Sequence, residues 1–180
     1  SGSSCPGAGG IGQYGLAADF DGSNDFIDLG NLDIDGNELT IALWAKADSF
    51  NPAWSDNRLI SKAIDTSTQG HYWMLSTINS GGERRLRFRL KTTDGSTTTL
   101  IADSGAITIG EWFHAVALYD GSMMQLYLDG VAVGSISKTG ALATDPGVGA
   151  NIGRNPDGYA KWDGTIDDIG LWDRALSAED

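Results

Sequence analysis

The chain ends in Lys161-Trp-Asp-Gly-Thr-Ile-Asp-Asp-Ile-Gly-Leu-Trp-Asp-Arg-Ala-Leu-Ser-Ala-Glu-Asp180, which reads as a turn, an alternating strand and the first residues of a helix. The strand carries two adjacent carboxylates, those of Asp167 and Asp168. Near the other end, Phe20-Asp-Gly-Ser-Asn-Asp-Phe-Ile-Asp28 is a second acidic turn followed by a strand. We expect the two terminal strands to lie side by side and to share a cation. This pattern indicates a calcium-stabilised β-sandwich rather than an active site.

Short alternating segments fill the rest of the 180 residues. Asp-Gly pairs recur between them and favour tight turns, because both residues tolerate positive φ. Gly is frequent at 25, Pro is scarce at 4, and Asp outnumbers Glu by 20 to 4, a bias typical of turns rather than helices. These features predict an all-β antiparallel protein with strands near residues 14–20, 25–30, 38–47, 57–63, 70–77, 84–91, 97–102, 112–119, 122–129, 131–136, 148–153 and 163–172.

The clearest local prediction is a hairpin that pairs residues 123–128 with 131–133 around Asp129-Gly130. Residues 177–180, Ser-Ala-Glu-Asp, resemble a helix N-cap. We expect a single domain over residues 12–180, excised from a larger protein, behind a flexible tail at residues 1–11.

The net charge of −12 disfavours nucleic acid and anionic membranes as partners. No segment approaches the ~18 consecutive apolar residues of a membrane-spanning helix. The acidity suits calcium-rich extracellular media, with simple solubility as the alternative explanation. One cysteine, Cys5, excludes an internal disulfide. We therefore expect an extracellular or cell-surface location.

Several blocks in a fixed order carry a family resemblance over roughly residues 12 to 180. The blocks are Tyr14–Asp28, Leu39–Lys46, Leu59–Lys62, Gly110–Gly121, Leu126–Val131 and Gly164–Glu179. Together they resemble the laminin-G-like jelly rolls of the concanavalin A-like lectin/glucanase superfamily. The resemblance implies a two-sheet antiparallel β-sandwich that serves as an accessory module in a secreted or surface protein and binds glycans or other proteins.

Structural calcium is implied by the same resemblance. Asp21 and Asp168 match the family positions that supply carboxylates, Asp167 is the alternative to Asp168, and Asp19 and Asp25 are further candidates. Calcium takes six to eight oxygen ligands at about 2.3–2.6 Å, so backbone carbonyls would complete the shell. The alternative is that these aspartates form turns in which they accept hydrogen bonds from their own backbone.

Four of the six tryptophans are expected to have structural roles. Trp44 and Trp112 lie in blocks that resemble core strands of the family, so we expect both to be buried. Trp172 should pack beneath the final loop, and Trp162 should be half-buried.

The other two tryptophans are candidate sugar contacts, because aromatic rings stack on sugar faces. Trp54 lies in a polar loop, where a large aromatic residue either anchors a partner or folds back as a lid. Trp73 alternates in step with His71, so the two could share an open concave face. His71 has no second His or Cys placed to help it bind a metal.

Two cationic segments could contact an anionic glycan. Arg85, Arg87 and Arg89 alternate with apolar residues and form a stripe that could hold carboxylates or sulfates; the alternative is a solvated face. The loop from Arg154 to Tyr159 offers a cation, an amide, a carboxylate and an aromatic ring, or is an ordinary rim loop.

Catalysis is the least favoured function. The Glu-x-Asp-x-x-Glu pattern of related glycanases does not occur, and the glutamates are scattered singly. Residues His71, Arg85, Arg87 and Tyr127 loosely resemble the set that polysaccharide lyases use. We predict a non-catalytic module that binds a neutral or anionic oligo- or polysaccharide, with a protein-binding or spacer domain of a bacterial adhesin as the alternative and a lyase or hydrolase as a further one.

Overall fold

The computed structural model describes residues 4–50 and 56–177. Antiparallel strands make up its regular structure, together with a 3-10 turn at Thr68–Gly70. The strands are β1 (Gly7–Ile11), β2 (Leu16–Asp21), β3 (Ile27–Asp28), β4 (Leu39–Ala47), β5 (Asp56–Ala63), β6 (His71–Ser80), β7 (Glu83–Lys91), β8 (Thr97–Ile101), β9 (Trp112–Tyr119), β10 (Met123–Leu128), β11 (Val131–Ser137), β12 (Ala150–Ile152) and β13 (Asp163–Trp172).

The strands form two sheets packed as a jelly-roll sandwich. A seven-stranded sheet has the order β1-β2-β13-β4-β9-β10-β11, and a six-stranded sheet has the order β3-β12-β5-β6-β7-β8. The last strand, β13, pairs with β2 on one side and with β4 on the other. The predicted sandwich and the predicted pairing of the terminal strands are therefore confirmed.

The core lies between the inner faces of the two sheets. Alternate residues of each strand point into it, because successive side chains of a strand point to opposite faces. Complete burial of one Leu or Phe side chain contributes about 1.5–3 kcal/mol to folding. The inward residues of β4 and β7 include Leu39, Ile41, Leu43, Leu86, Phe88 and Leu90.

The hairpin between β10 and β11 forms as predicted. Leu128 pairs with Val131 across the turn. Asp129 has φ 52° and Gly130 has φ 78°, and two positive φ angles define the type I′ turn whose twist matches that of the flanking strands.

The N-terminal region differs from the prediction of a flexible tail. Residues Gly7–Ile11 form β1 and pair with β2, with a register shift between Ala8 and Gly10. Gly-rich segments lack the apolar alternation that reveals a strand, so the sequence pattern missed it. The predicted helical turn at residues 177–180 lies almost entirely outside the described residues. Within the described part of the chain, no helix has the length and apolar character needed to cross a membrane.

Gly153 is a point at which backbone conformation and packing both require glycine. Its φ is +82°, and a Cβ atom there would overlap the buried ring of Phe20. Gly158 also has a positive φ, +90°, but a Cβ atom there would meet nothing within 4 Å.

We expect Gly153→Ala to destabilise the domain more than Gly158→Ala does. The left-handed conformation costs each alanine about 1–2 kcal/mol, and overpacking against Phe20 adds about 1–3 kcal/mol to the Gly153 variant alone. Urea unfolding of both variants measures the difference. Equal losses of unfolding free energy would contradict the packing described for Phe20.

Candidate functional site

Two neighbouring strands present aromatic rings on the outer face of the seven-stranded sheet. The inward residues of β4 carry odd numbers, so Trp44 shares the outer face with Thr40 and Ala42. The same alternation on β9 places His114 outside, directly opposite Trp44 in register. The ring centroids of Trp44 and His114 lie 5.0 Å apart, so the two rings form a contiguous aromatic surface.

A groove of about 440 Å³ adjoins this aromatic pair. One wall is Trp172 of β13, which lies opposite Thr40 in register. Gly170 leaves room for the indole, since a Cβ atom there would overlap the ring of Trp172. We call this depression the outer-face groove; its lining includes Thr40, Ala42, His114, Val116, Tyr127 and Trp172.

The outer-face groove contains a few polar groups, among them the His114 imidazole and the Tyr127 hydroxyl. Partial burial lowers the pKa of His114, against the opposing effect of Asp129, so the imidazole is neutral at neutral pH and offers one donor and one acceptor. The Tyr127 hydroxyl donates to Gln125 Oε1 at 2.8 Å. An apolar concavity with a small number of oriented polar groups is the usual form of a small-ligand site.

A hydrogen-bonded segment closes one end of the groove. Thr40 Oγ1 donates to the carbonyl of Arg174 at 2.8 Å and accepts from the Leu176 amide at 3.1 Å. Glu38 Oε2 accepts from the Ala175 amide at 3.0 Å. These bonds hold the chain that follows β13 against β4, and Leu176 lines the groove as a result.

Three tryptophans lie elsewhere than predicted. Trp44 and Trp112 are half-buried on the outer face rather than in the core, and the Trp112 ring lies 5.4 Å from Lys46 Nζ. Trp162, expected to be half-buried, is fully buried and packs edge-on against Phe113. The alternation of β4 indicates the outer face for Trp44, because Trp44 and Lys46 point to the same side of the strand. The prediction of burial followed the family resemblance instead of this alternation.

The outer face of the six-stranded sheet carries a different chemistry. Arg87 of β7 and Arg58 of β5 both lie opposite Ser76 of β6, one from each side. Arg89 lies one pair further along, opposite Met74. We call Arg58, Arg87 and Arg89 the arginine cluster; all three side chains are buried.

Asp56 is the carboxylate that contacts this cluster. Its Oδ2 lies 2.9 Å from Arg58 Nη1 and also accepts from Arg87 Nη2. Burial alone would raise the pKa of Asp56, but the two guanidinium groups outweigh it and lower the pKa. Asp56 is therefore ionised and shared between two arginines.

His71 is buried against the same arginines. Its Nδ1 lies 2.6 Å from the carbonyl oxygen of Ser67, so Nδ1–H is the donor of that bond. Its Nε2 then accepts from Arg58 Nη2 at 3.0 Å. Burial, followed by the charges of Arg58 and Arg89, lowers the pKa of His71 to about 3. The imidazole is neutral and held in one tautomer.

The prediction that His71 and Trp73 share an open face is wrong, because both side chains are buried. Trp73 points into the core beside Leu75. The apolar residues of β6 occupy both alternating phases, so periodicity could not tell which phase faces the core. Trp54, the other predicted aromatic contact, lies outside the described residues.

The predicted arginine stripe is present in altered form. Arg85 turns away, with Nη1 donating to the carbonyl of Ala102 at 3.2 Å and Nη2 donating to Glu83 Oε2 at 2.8 Å. Arg58, which sequence reasoning missed, takes its place beside Arg87. Strand pairing brings it there from β5, and no local pattern reveals that register.

The predicted rim-loop contacts lie on the side of the six-stranded sheet. The Arg154 guanidinium stacks 3.3 Å from the centroid of Phe26, and Tyr159 is 59% exposed. Between them, Asn155 is buried, and its Oδ1 accepts from Arg58 Nε at 3.3 Å and from Ser61 Oγ at 2.9 Å. The loop therefore packs against the arginine cluster and not beside the outer-face groove.

The residues that resembled a lyase set are divided between the two sheets. Tyr127 lies on β10 of the seven-stranded sheet, whereas His71 and Arg87 lie on β6 and β7 of the other. Each side chain is on the outer face of its own sheet, or buried against it. The sandwich core separates them, so they cannot act on one substrate atom.

The predicted calcium ligands do not converge. Asp21 lies opposite Asp163 in register, and Asp19 lies opposite Thr165. Asp167 is four residues from Asp163, a separation of about 13 Å along a strand. Among the described residues, no three acidic, His or Cys side chains form a group that could hold a metal ion.

Hydrogen bonds engage three of the predicted carboxylates. Asp21 Oδ1 accepts from the amides of Ser23 and Asn24, and these bonds lower its pKa. Asp25 Oδ2 accepts from the Asp21 amide at 3.1 Å. Asp167 accepts from the amide of Tyr14 and from that of its neighbour, Asp168 N, at 2.9 Å. The bonds within residues 21–25 match the turn-forming alternative, whereas the bond from Tyr14 to Asp167 joins distant parts of the chain. Calcium binding remains a prediction that rests on the resemblance alone.

Asp19 and Asp168 are the two remaining candidates, and both are exposed. Burial, then repulsion by Asp48 and Asp25, raises the pKa of Asp19. Asp168 has φ 45° and lies within the register shift between Asp167 and Gly170. This bulge turns the two adjacent aspartates in different directions.

A two-sheet jelly roll with paired terminal strands places the chain in the class of antiparallel β-sandwich domains. The chain belongs to the laminin-G-like family of the concanavalin A-like lectin/glucanases superfamily, whose profile matches residues 21–180. The predicted resemblance is confirmed.

Similar proteins span several kinds of parent chain. The adhesion G-protein coupled receptor V1 of Danio rerio is 27% identical over 143 residues, which is 77% of this chain and 2% of the receptor. Domain 4 of an extracellular GH43 arabinanase from Geobacillus stearothermophilus, in complex with arabinotriose, has a TM-score of 0.72 at 20% identity, covering 99% of this chain and 79% of that one. The CBM40 domain of Ruminococcus gnavus IT-sialidase, bound to α2,3 sialyllactose, has a TM-score of 0.61 at 18% identity, covering 79% of each chain. At these identities the structures establish the fold.

We expect stability to fall as the pH drops from about 6.5 towards 5, because of His71. The unfolded chain protonates His71 near pH 6.5, whereas the folded chain keeps it neutral down to about pH 3. Protons therefore favour the unfolded state in this window, by up to about 1.4 kcal/mol per pH unit. Urea unfolding at pH 7 and pH 5 measures the slope. His71→Gln should flatten it and His114→Gln should retain most of it; an unchanged slope in His71→Gln would refute the assignment.

The unfolding temperature tests the calcium prediction: a bound calcium ion raises it relative to chelator, whereas aspartates that act only as turn residues leave it unchanged. A calcium ion present at 100 times its Kd would contribute about 2.7 kcal/mol, or roughly 5–10 °C in a domain of this size. Differential scanning calorimetry with calcium and with EGTA checks this. A rise of that size in calcium would support the calcium proposal, and equal unfolding temperatures would overturn it.

Proposed function

We propose that this chain is a non-catalytic carbohydrate-binding module of a secreted or surface protein, and that the outer-face groove holds the saccharide. The observation that carries this proposal is the concentration of half-buried aromatic side chains around one groove. Trp44, His114, Tyr127 and Trp172 come from four adjacent strands, and all four are half-buried on one face.

The chemistry of a sugar ring fits such a surface. One face of a pyranose or furanose ring exposes C–H groups, which stack on an aromatic ring and remove apolar area from water at about 25 cal/mol per Å². The hydroxyl groups at the ring edge then need polar partners. The neutral His114 imidazole supplies a donor or an acceptor in the outer-face groove.

Packing already restricts the aromatic side chains before a ligand binds, which reduces the conformational entropy lost on binding. Trp44 and His114 are on central strands and pack against each other at 5.0 Å. The indole of Trp172 is confined by its own strand over Gly170. Side chains that are ordered before binding lose little conformational entropy when a ligand arrives.

The comparisons support the class of ligand. Two domains with the same fold have arabinotriose and sialyllactose bound, and one of them belongs to an extracellular enzyme. In that parent chain the domain accompanies a hydrolase, which favours an accessory role here. The likeness to an adhesion receptor keeps a protein-binding or spacer role as the second candidate. Structural calcium is a separate proposal, carried by the resemblance alone.

We expect Trp172→Ala to weaken glycan binding by at least about tenfold. Removing a central aromatic contact typically costs about 2 kcal/mol of binding free energy, and about 1.4 kcal/mol corresponds to a factor of ten in Kd. A glycan array of neutral and anionic saccharides identifies the ligand, and isothermal titration calorimetry measures the loss. Tyr159→Ala is the matched control, since it removes an exposed aromatic ring from the rim loop.

The two variants separate the candidates. Loss in Trp172→Ala with retention in Tyr159→Ala supports the outer-face groove. The reverse result places the ligand at the rim loop and overturns the groove. A folded wild-type chain that binds no saccharide on the array overturns the carbohydrate-binding proposal and favours the adhesin alternative.

A further inference from the structure

The arginine cluster is a concentration of positive charge with an unusual location. Arg58, Arg87 and Arg89 are 0%, 3% and 9% exposed, in a chain whose net charge is −12. Burying a charge is costly unless an opposite charge and hydrogen bonds compensate it. The question is therefore whether the neighbouring carboxylates and hydrogen-bond acceptors compensate the three buried positive charges.

Among residues 4–50 and 56–177, the carboxylates that act on the cluster carry less negative charge than the three arginines carry positive charge. Asp56 is ionised and shared by Arg58 and Arg87. Asp157 acts on Arg58 from the rim loop, but its Oδ1 also accepts from Asn155 Nδ2 and from the Tyr159 amide. The five residues that precede Asp56 in the sequence, Asn-Pro-Ala-Trp-Ser, include no acidic side chain.

Arg89 has the weakest compensation of the three. Its Nε donates to the hydroxyl of Thr99 at 3.2 Å, and its Nη1 lies 3.5 Å from the carbonyl of Thr66. Both of these acceptors are neutral. Burial, then repulsion by Arg87 and Arg58, lowers the pKa of Arg89 to about 10, and the opposing attraction of Asp56 is smaller. The surroundings of Arg89 therefore destabilise the charged form of its guanidinium group.

The tautomer of His71 places a second donor beside Arg89. Arg89 Nη1 lies 3.2 Å from His71 Nδ1. That nitrogen already donates its hydrogen to the carbonyl of Ser67, so it cannot accept from Arg89. Two donors face each other at this point, an arrangement that an added acceptor would relieve.

We propose that the arginine cluster is a binding site for an oxyanion, a carboxylate or sulfate group, held by the guanidinium groups of Arg89 and Arg87. Planar guanidinium groups match the two oxygens of such groups with paired hydrogen bonds. The shared carboxylate of Asp56 on β5 holds Arg58 and Arg87 together, and the His71 ring packs against Arg58 and Arg89. Arg89 is the most exposed of the three at 9%, so we place the access of the group at Arg89. This site lies on the sheet opposite the outer-face groove and does not depend on the proposed function.

The experiment titrates sodium sulfate against sodium chloride at constant ionic strength and follows the unfolding temperature. Sulfate also stabilises proteins by exclusion from their surface, an effect that rises without saturation. A bound sulfate adds a saturable increment, a shift of a few degrees at ten times its Kd. Parallel titrations with glucuronate and with glucose distinguish a free oxyanion from an acidic sugar.

Three variants locate the effect. Arg89→Gln removes the charge and should abolish the saturable increment. Arg89→Lys keeps the charge but loses the planar fork, and should weaken sulfate binding at least about tenfold. Arg85→Gln is the matched control, because Arg85 lies on the same strand but pairs with Glu83; it should respond like the wild type, as should Trp172→Ala.

The outcomes decide the proposal. A saturable response to sulfate and glucuronate supports an oxyanion site, and a response to glucuronate alone assigns it to acidic sugars. The absence of any saturable response in the wild-type chain overturns the proposal without requiring a variant to fold. Equal losses in Arg89→Gln and Arg85→Gln also overturn it, since they would reflect net charge rather than a site.

Discussion

The antiparallel pairing of β13 with β2 and with β4 is the constraint on which the rest of the structure depends. It places the C-terminal strand in the interior of the seven-stranded sheet and brings the two ends of the chain together. The same pairing sets Trp172 opposite Thr40 and Asp167 opposite Trp44. The positions of Trp172 in the groove wall and of Asp167 beside Trp44 therefore follow from one register. A slip by one residue would move each of these side chains to the other face of the sheet.

The two outer faces of the sandwich have opposite chemistries. On the seven-stranded sheet, strands β9, β10 and β13 present the rings of His114, Tyr127 and Trp172 around an apolar groove. On the six-stranded sheet, strands β5 and β7 present guanidinium groups that the 64–70 and 154–160 loops cover. A core shared by both sheets allows this division, because each strand has an outward set of residues that the core does not constrain. An apolar aromatic groove and a buried cationic cluster thus coexist in one small domain.

Sequence reasoning located the strands well but assigned several side chains to the wrong place. The strand from Leu39 to Ala47 was predicted almost to the residue, because its inward positions are uniformly apolar. Trp44 was nevertheless assigned to the core, although its phase with Lys46 indicated the outer face. Trp73 could not have been assigned by phase, since β6 is buried on both sides. Alternation predicts a burial direction only where one face of a strand meets water.

The sequence by itself determined the all-β class, most of the strands and the Asp129-Gly130 hairpin, because these depend on local periodicity and turn chemistry. The acidic segments at its two ends also indicated that the terminal strands pair. Tertiary structure alone decided which side chains meet across strands: Arg58 with Arg87, Trp44 with His114, and Trp172 with Thr40. It also kept Asp21 apart from Asp167, although both lie on paired strands. Register between strands distant in sequence depends on how two whole sheets pack, and no short segment of the chain encodes it.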